Sequence, residues 1–394
     1  MGKTNTMSFF NSFWQKIKIF FSRIWTWVKT HKVVAATIAG GITIATTLAI
    51  VLPFVLQQKP SQKDKNEKIQ EEYFHDKDGL LSPFANMTMW TETSSPYSIN
   101  GVIDLEKVSA DTDVKVFHLG FINPDQNKYL ESDGSIRWCW GGYSELSPSR
   151  SDGFQYVGIE KSIQNLRDSG GEIVVSFGGQ AGVSPWTCTQ NVDALEQMYL
   201  DVIETYNLAR IDLDIETSNQ NASHAAANAQ AIKLVQDKTG VEVSLTIPIM
   251  PSGWQDKQIA LIEAYLNAGV ELACINSMTM CYGAGLLPNE DYAWASIRAL
   301  KNANRQLGEL YKTHGKTLSE KDLYKKMGAT VAIGYEGDAF PLFTTENMGV
   351  VAAFAKEVGL GMLSFWSINR DAELYYNKGI NSAYEFIEVC KLNY

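Results

Sequence analysis

The sequence predicts an α/β chain: a (β/α)8 TIM barrel preceded by an N-terminal transmembrane helix. Three observations carry this. Strand-like and helix-like runs alternate from residue 81 to residue 392, the pattern of parallel strands joined by crossover helices. The runs amount to about eight strand–helix units, the number that closes a barrel. Ahead of them lies an uncharged run, Val33 to Gln58, which exceeds the ~20 apolar residues needed to cross a bilayer. A doubly wound open sheet is the rival fold, but the glycine-rich phosphate loop it favours early in the chain is missing.

The N-terminal region divides by charge. Residues 1–32 carry six Lys/Arg and no acid. Phe10, Phe13, Trp14, Ile17, Phe20, Phe21, Ile24 and Trp25 recur at helical spacing with Lys16, Arg23 and Lys29 off the stripe. This describes a basic amphipathic segment suited to the inner membrane surface. Residues 33–57 follow as the anchor. Positive charge before the span places the N-terminus in the cytoplasm and the body outside the cell membrane. A cleaved signal peptide is the alternative, although its apolar core is normally ~7–15 residues. Met1-Gly2-Lys3-Thr4-Asn5-Thr6 also fits a myristoylation pattern, which a spanning helix would make redundant. Residues 58–80 are charged and poor in large aliphatics, as in a linker that acts as a flexible tether. The barrel is expected over residues 81–394.

Within it, Phe84 to Trp90 and Val114 to Ile122 read as the first two strands. Gly158 to Asp168 is helical and stops at Gly170-Gly171, and Glu172 to Gly179 is a strand ending in glycines. Asn191 caps a helix to Tyr206 whose one side is lined by Leu195, Met198, Tyr199, Val202 and Ile203. After the strand 209–216 come helices at 225–236, 258–267, 292–311, 346–357 and 381–392. They are interleaved with strands at 241–249, 271–281, 327–333 and 361–366.

The chain is 45% hydrophobic and 20% charged, a globular composition. Beyond residue 32 the balance is 28 basic against 44 acidic residues, which argues against a nucleic-acid partner and leaves neutral polymers such as glycans open. The five cysteines form no Cys-x-x-Cys metal pair. Cys139 and Cys188 share loop-like, aromatic surroundings compatible with a disulfide, whereas Cys274 sits in an apolar strand pattern as inert core.

The stretch Ala209-Arg210-Ile211-Asp212-Leu213-Asp214-Ile215-Glu216 alternates aliphatic and acidic residues. On a strand this puts Asp212, Asp214 and Glu216 on one face. The last of them stands at the carboxyl end, where barrels carry their active sites. Three readings compete: a solvated strand face, a divalent-metal site built on Asp-x-Asp, and a glycosidase acid with supporting carboxyls. Buried together, such carboxyls must share protons and hydrogen bonds, which raises at least one pKa into the range a general acid needs. Trp138, Trp140, Tyr143, Trp186, Trp254, Tyr282, Tyr335 and Trp366 fall near other strand ends. Flat aromatic faces suit sugar rings, which favours the third reading.

With these residues the chain resembles glycoside hydrolase family 18, the chitinases and related endo-N-acetylglucosaminidases. The acidic strand is similar to that family's Asp-Gly-x-Asp-x-Asp-x-Glu, and Ser176-Phe177-Gly178-Gly179 to its Ser-x-Gly-Gly. Met278-Thr279-Met280-Cys281-Tyr282-Gly283 resembles a Met-Thr-Met-Asp-Tyr-Gly run. Phe365-Trp366-Ser367-Ile368-Asn369-Arg370-Asp371 resembles the last-strand segment whose Trp floors the sugar site. The resemblance implies a retaining glycosidase acting on β-1,4-linked N-acetylglucosamine polymers by substrate-assisted catalysis, without cofactor or metal. Glu216 would be the acid, Asp214 the acetamido clamp that trades a proton with it, and Asp212 the support beneath. Tyr282 or Met280 would stand at the family's acetamido-binding tyrosine, and Trp366 would stack under the sugar. Gly178, Gly179 and Trp140 are further expected substrate contacts. Two departures stand out. Ala209-Arg210 replaces Asp-Gly, away from the chemistry, and Cys281 replaces an Asp beside the acetamido pocket. An endo-β-N-acetylglucosaminidase on glycans or peptidoglycan, and a carbohydrate-binding protein with weakened catalysis, are the alternatives.

Overall fold

Eight parallel strands close on themselves in the computed structural model, which describes residues 61–75, 79–372 and 378–394 together with Lys18 and Ser22. They are β1 (Phe84–Asn86), β2 (Val116–Pro124), β3 (Glu172–Gly178), β4 (Arg210–Asp214), β5 (Glu242–Pro248), β6 (Leu272–Met278), β7 (Met327–Ala332) and β8 (Met362–Trp366). Each pairs with its successor, and Trp366 of β8 meets Phe84 of β1 to close the ring. The connecting helices are α1 (Leu105–Thr112), α2 (Phe154–Asp168), α3 (Val192–Tyr206), α4 (Ala222–Thr239), α5 (Asp256–Asn267), α6 (Tyr292–Thr313), α7 (Thr345–Val358) and α8 (Glu385–Asn393). The structure is thus the (β/α)8 barrel that the alternation predicts.

Period-two side-chain alternation sorts the strands. Ile173, Val175 and Phe177 of β3 and Ile211 and Leu213 of β4 belong to the main core beneath the helices. The inward residues differ by height. The lower interior is apolar, with Val116, Val174, Cys274 and Met362 packed under Phe74. The upper interior is polar, built from Ser176, Asp212, Ser244, Thr246, Asn276 and Thr330, all buried. The predicted Asn191 cap is present: its side chain accepts the Ala194 N–H at the start of α3.

The charged stretch expected to be a flexible tether differs from that expectation. Residues Gln62–Tyr73 form an α-helix opened by a Ser61/Asp64 capping box. Asn66 and Gln70, one turn apart, are buried. The Asn66 amide donates to the Thr239 carbonyl (3.0 Å), and that of Gln70 to the carbonyls of Ala209 (2.8 Å) and Gly240 (2.9 Å). The helix is held by hydrogen bonds, not by an apolar stripe, so its hydropathy pattern does not announce it. Phe74 ends it over the Arg210 guanidinium (4.6 Å), and Arg210 pairs with Glu242 (2.8 Å). Gln70→Ala leaves two carbonyls without this donor. It is expected to lower stability by about 1–3 kcal/mol, read from urea denaturation; an unchanged midpoint would mean the helix is not docked.

Among the described residues no helix is long and apolar enough to cross a membrane. The anchor expected at 33–57, and all but two residues of the basic segment before it, lie outside the described residues. All five cysteines are free thiols, so Cys139 and Cys188 are not bridged. Cys274 is core as expected, and burial pushes its thiol up to about 12.

Candidate active site

The acidic face of β4 enters the barrel. Asp212 is fully buried, and both its oxygens are taken by neighbouring hydroxyls. Ser176 on β3 donates to Oδ2 (2.7 Å), and Ser244 (2.7 Å) and Thr246 (2.9 Å) on β5 donate to Oδ1. Burial raises its pKa to about 6 although these hydrogen bonds pull it down. The polar layer continues from Thr246 through the Asn276 amide (2.9 Å) to Thr330 (2.7 Å). Asp212 is thereby locked in one rotamer, its lone pairs satisfied from strands on both sides.

Asp214 stands one step up the same face. It is 4% exposed, its Oδ1 has no hydrogen-bond partner within the protein, and it is hydrogen-bonded to Glu216. Burial, then the charges of Glu216 and Asp212, hold its carboxyl well above the usual range. Glu216 follows the strand, just past the last ladder bond from the Ile215 N–H to the Thr246 carbonyl (2.9 Å). Its pKa is pushed up to about 7 by burial, against the pull of the Asp214 hydrogen bond. Two such close carboxyls cannot both ionise cheaply, so near neutral pH they share a proton.

Asp214 and Glu216 line a cavity of about 290 Å³ at the carboxyl end of the barrel. Trp366 forms one side. Its ring is stacked on Phe121 (centroids 5.7 Å, planes 18° apart) and tilted against Phe84 (6.2 Å). Met250, Met278, Met280 and Cys281 line the cavity too, as do Gln180 and Glu336. Gly178 and Gly179 support this rim from behind. Both have positive φ (104° and 85°), and a Cβ on Gly178 would meet the Asp214 carbonyl at 2.3 Å. Only glycine lets β3 approach the acidic strand so closely.

Of the residues singled out from sequence, Asp214, Glu216, Trp366 and Met280 come together around this cavity and Asp212 lies beneath. Gly178 and Gly179 shape it without lining it. Tyr282 and Trp140 are placed elsewhere. Tyr282 is 2% exposed, stacked on Tyr292 (5.3 Å), and its hydroxyl donates to Ser296 (3.2 Å). The cause is the backbone between: Cys281 has φ +54°, which breaks the strand alternation, keeps Met280 and Cys281 at the cavity and swings Tyr282 behind it. Trp140 is fully buried, donating from its indole to the Tyr206 hydroxyl (3.0 Å). Trp138, Trp186 and Trp254 are likewise core, and Tyr143 is exposed.

Sequence reasoning missed Phe84, Phe121, Gln180, Glu336 and Arg370. Glu336 lies beyond the end of β7 and is ion-paired with Arg370. Arg370 also donates to the Ile333 carbonyl (3.2 Å). Burial lowers the Arg370 pKa to about 10, still far above neutrality. Burial raises that of the Cys281 thiol, with Arg370 opposing and Glu216 reinforcing the shift. Among the described residues, no group of three His, Cys, Asp or Glu side chains is arranged to hold a metal ion.

Comparison with known proteins converges on one group. The chain is 29% identical over 289 residues to a probable bifunctional chitinase/lysozyme of Escherichia coli (strain K12), covering 70% of this chain and 30% of that protein. It is 28% identical over 288 residues to endochitinase 11 of Metarhizium anisopliae, covering 70% of this chain and 51% of that one. The match thus spans between about a third and about half of these curated relatives. Among solved structures, the catalytic domain of a hyperthermophilic chitinase from Pyrococcus furiosus superimposes with a TM-score of 0.65 at 24% identity, covering 82% of this chain and 97% of that one. Catalytic-site mutants of active domain 2 of a thermostable chitinase from that organism, complexed with chito-oligosaccharides, align at 25% identity with a TM-score of 0.63, covering 80% and 94%. No family model matches the chain.

Proposed function

We propose that the chain is a chitinase-like glycoside hydrolase of family 18 and acts as a retaining glycosidase cleaving β-1,4-linked N-acetylglucosamine polymers, a reading supported by relatives 28% and 29% identical to it that are named as chitinases. The observation that carries this is the pair of adjacent carboxyls, Asp214 and Glu216, lining a cavity sided by Trp366. Glu216, at the mouth of the barrel with a pKa near 7, is protonated often enough at neutral pH to donate to a glycosidic oxygen. The buried, unpartnered Oδ1 of Asp214 is an acceptor for the acetamido N–H of the sugar. Holding that N–H aims the acetamido oxygen at the anomeric carbon, so the substrate supplies its own nucleophile. Donation of the shared proton leaves both carboxyls ionised; the acetamido N–H held at Asp214 offsets that charge until Glu216 takes a proton back from the attacking water. Asp212, fixed by three hydroxyls, keeps Asp214 in place and sets the field beneath it. Trp366 offers a flat apolar face to the sugar at the cleavage point.

Relatives named as chitinases and an endochitinase support the substrate class. The test is product analysis on an N-acetylglucosamine oligosaccharide ladder, with the product anomer followed by NMR. Cleavage with the β-anomer appearing first is expected. An α-anomer first would remove the retaining mechanism, and binding without cleavage would favour a carbohydrate-binding protein of weakened catalysis. The charge-free run 33–57 and the basic residues before it support a further part of the proposal, that the barrel is tethered to the outer face of a cell membrane.

A further inference from the structure

An acyl group on a nitrogen held at Asp214 has two ways to turn. On the β3 side the wall is closed. Phe121 packs on Gly179, where a Cβ would meet its ring at 2.8 Å, and Trp366 is stacked on the same Phe121 (5.7 Å). On the other side lie the ends of β5 and β6, and there the lining changes character. Met250 follows β5, Met278 ends β6 and Met280 stands two residues on, all three at the cavity. The hydroxyls of that wall have no proton to offer a carbonyl. Thr246 donates its own to Asp212 (2.9 Å), and Thr330 donates to the Asn276 side-chain oxygen (3.0 Å). Tyr282 is turned behind the wall toward Ser296 (3.2 Å). Cys281 adds only a thiol, a weak donor. An acyl group on this side is therefore met by methionines and not by a fixed hydrogen bond.

A methionine wall yields. Each side chain has three rotatable bonds and a polarisable sulfur, so it refits around a changed volume at little cost. Met250 rests its methyl on Gly285, where a Cβ would meet it at 2.6 Å. That glycine ends the single turn Gly283–Gly285, and a Cβ on Gly283 would find nothing within 4 Å. The wall is thus backed by a small-residue turn with space around it, not by packed core.

We propose that Met250, Met278 and Met280 form a deformable acyl pocket that admits glucosamine chains carrying N-propionyl or N-butyryl groups as well as N-acetyl. The proposal rests on the glycosidase reading and widens its substrate class. In a rigid apolar pocket one methylene changes kcat/KM by roughly ten- to two-hundredfold. Here the added methylene moves a methionine and is itself buried.

The test uses chromogenic chitobiosides whose sugar next to the chromophore carries acetyl, propionyl or butyryl, with kcat/KM measured on the full chain. The propionyl substrate is expected within about threefold of the acetyl one, and the butyryl substrate within about tenfold. Met280→Tyr fills the pocket with a flat, stiff ring and should lower the propionyl-to-acetyl ratio by roughly tenfold. Met280→Ala opens it and should raise the butyryl-to-acetyl ratio. Melting temperatures show which variants fold, and either one suffices. A wild type that loses tenfold or more on the propionyl substrate overturns the proposal, as does a ratio that the folded variants leave unmoved. If the acetyl chitobioside is itself not cleaved, the glycosidase reading fails. The Kd values of the three N-acyl chitobioses, from tryptophan fluorescence, then decide the pocket by the same ratios.

Discussion

Glu216→Gln is expected to lower kcat on a chromogenic chitobioside by roughly 10²–10⁴-fold, the usual contribution of a general acid, while the folded barrel and its affinity for chito-oligosaccharide survive. The amide has nearly the shape of the carboxylic acid and can still hydrogen-bond Asp214, but it has no proton to give. The fold does not depend on Glu216. It lies after the end of β4, and the hydroxyl network beneath is tied to Asp212. The measurement is kcat beside a fluorescence-derived Kd and a melting curve. A variant that turns over at the wild-type rate removes Glu216 from the role of acid.

Asp214→Asn has the second-largest expected effect, a fall in kcat of about a hundredfold or more, with a change in how stability follows pH. The variant keeps a donor toward Glu216 and an acceptor oxygen, but loses the carboxylate charge and the proton it must exchange. In the wild type, burial raises Asp212 to about 6, Glu216 to about 7, and Asp214 well above its usual value. A carboxyl whose pKa is raised on folding binds its proton more tightly in the native state. The native chain is therefore favoured at low pH, and that contribution is lost as pH rises through about 6 and then about 7. Between pH 5.5 and 8 the loss is on the order of 1–3 kcal/mol. Asp214→Asn removes one charge that would have to be buried, so it should flatten this slope and gain stability at the alkaline end. Urea denaturation at the two pH values reads the slope; an equal slope in both proteins would mean Asp214 does not titrate with the site. Activity should fall through the same window, because deprotonated Glu216 cannot act as the acid.

Much of this was legible in the residues themselves. Strict alternation at 210–216 predicts three carboxyls on one strand face, because strand geometry leaves no other arrangement. The strand–helix rhythm predicts the barrel and therefore the end at which Glu216 stands. Motifs confined to one turn were readable too: the Asn191 cap, and the glycines at 178 and 179 that end β3.

Other features depend on partners far along the chain. The helix at 62–73 looks like a tether because its anchoring residues are Asn66 and Gln70, whose acceptors lie 139–173 residues away. The aromatics near strand ends look alike in sequence. Yet Trp140 turns into the core to reach Tyr206, while Trp366 is left facing the cavity on top of Phe121. The family resemblance leaves Tyr282 or Met280 at the acetamido-binding position, and only the backbone at Cys281, which enters the left-handed region, puts Met280 at the cavity and Tyr282 behind it. Glu336 lies in the loop after β7 and Arg370 in the short helix Ile368–Ala372 after β8, and only the tertiary fold brings them together.

By itself, then, the sequence determined the barrel, the acidic strand and the height of its three carboxyls, since each follows from a period of two or from contacts within a few residues. The tertiary structure alone decided which aromatics face the cavity, and that Asp214 is buried beside Glu216 at its edge. Burial and the approach of distant charges set those properties, and neither is encoded in local spacing.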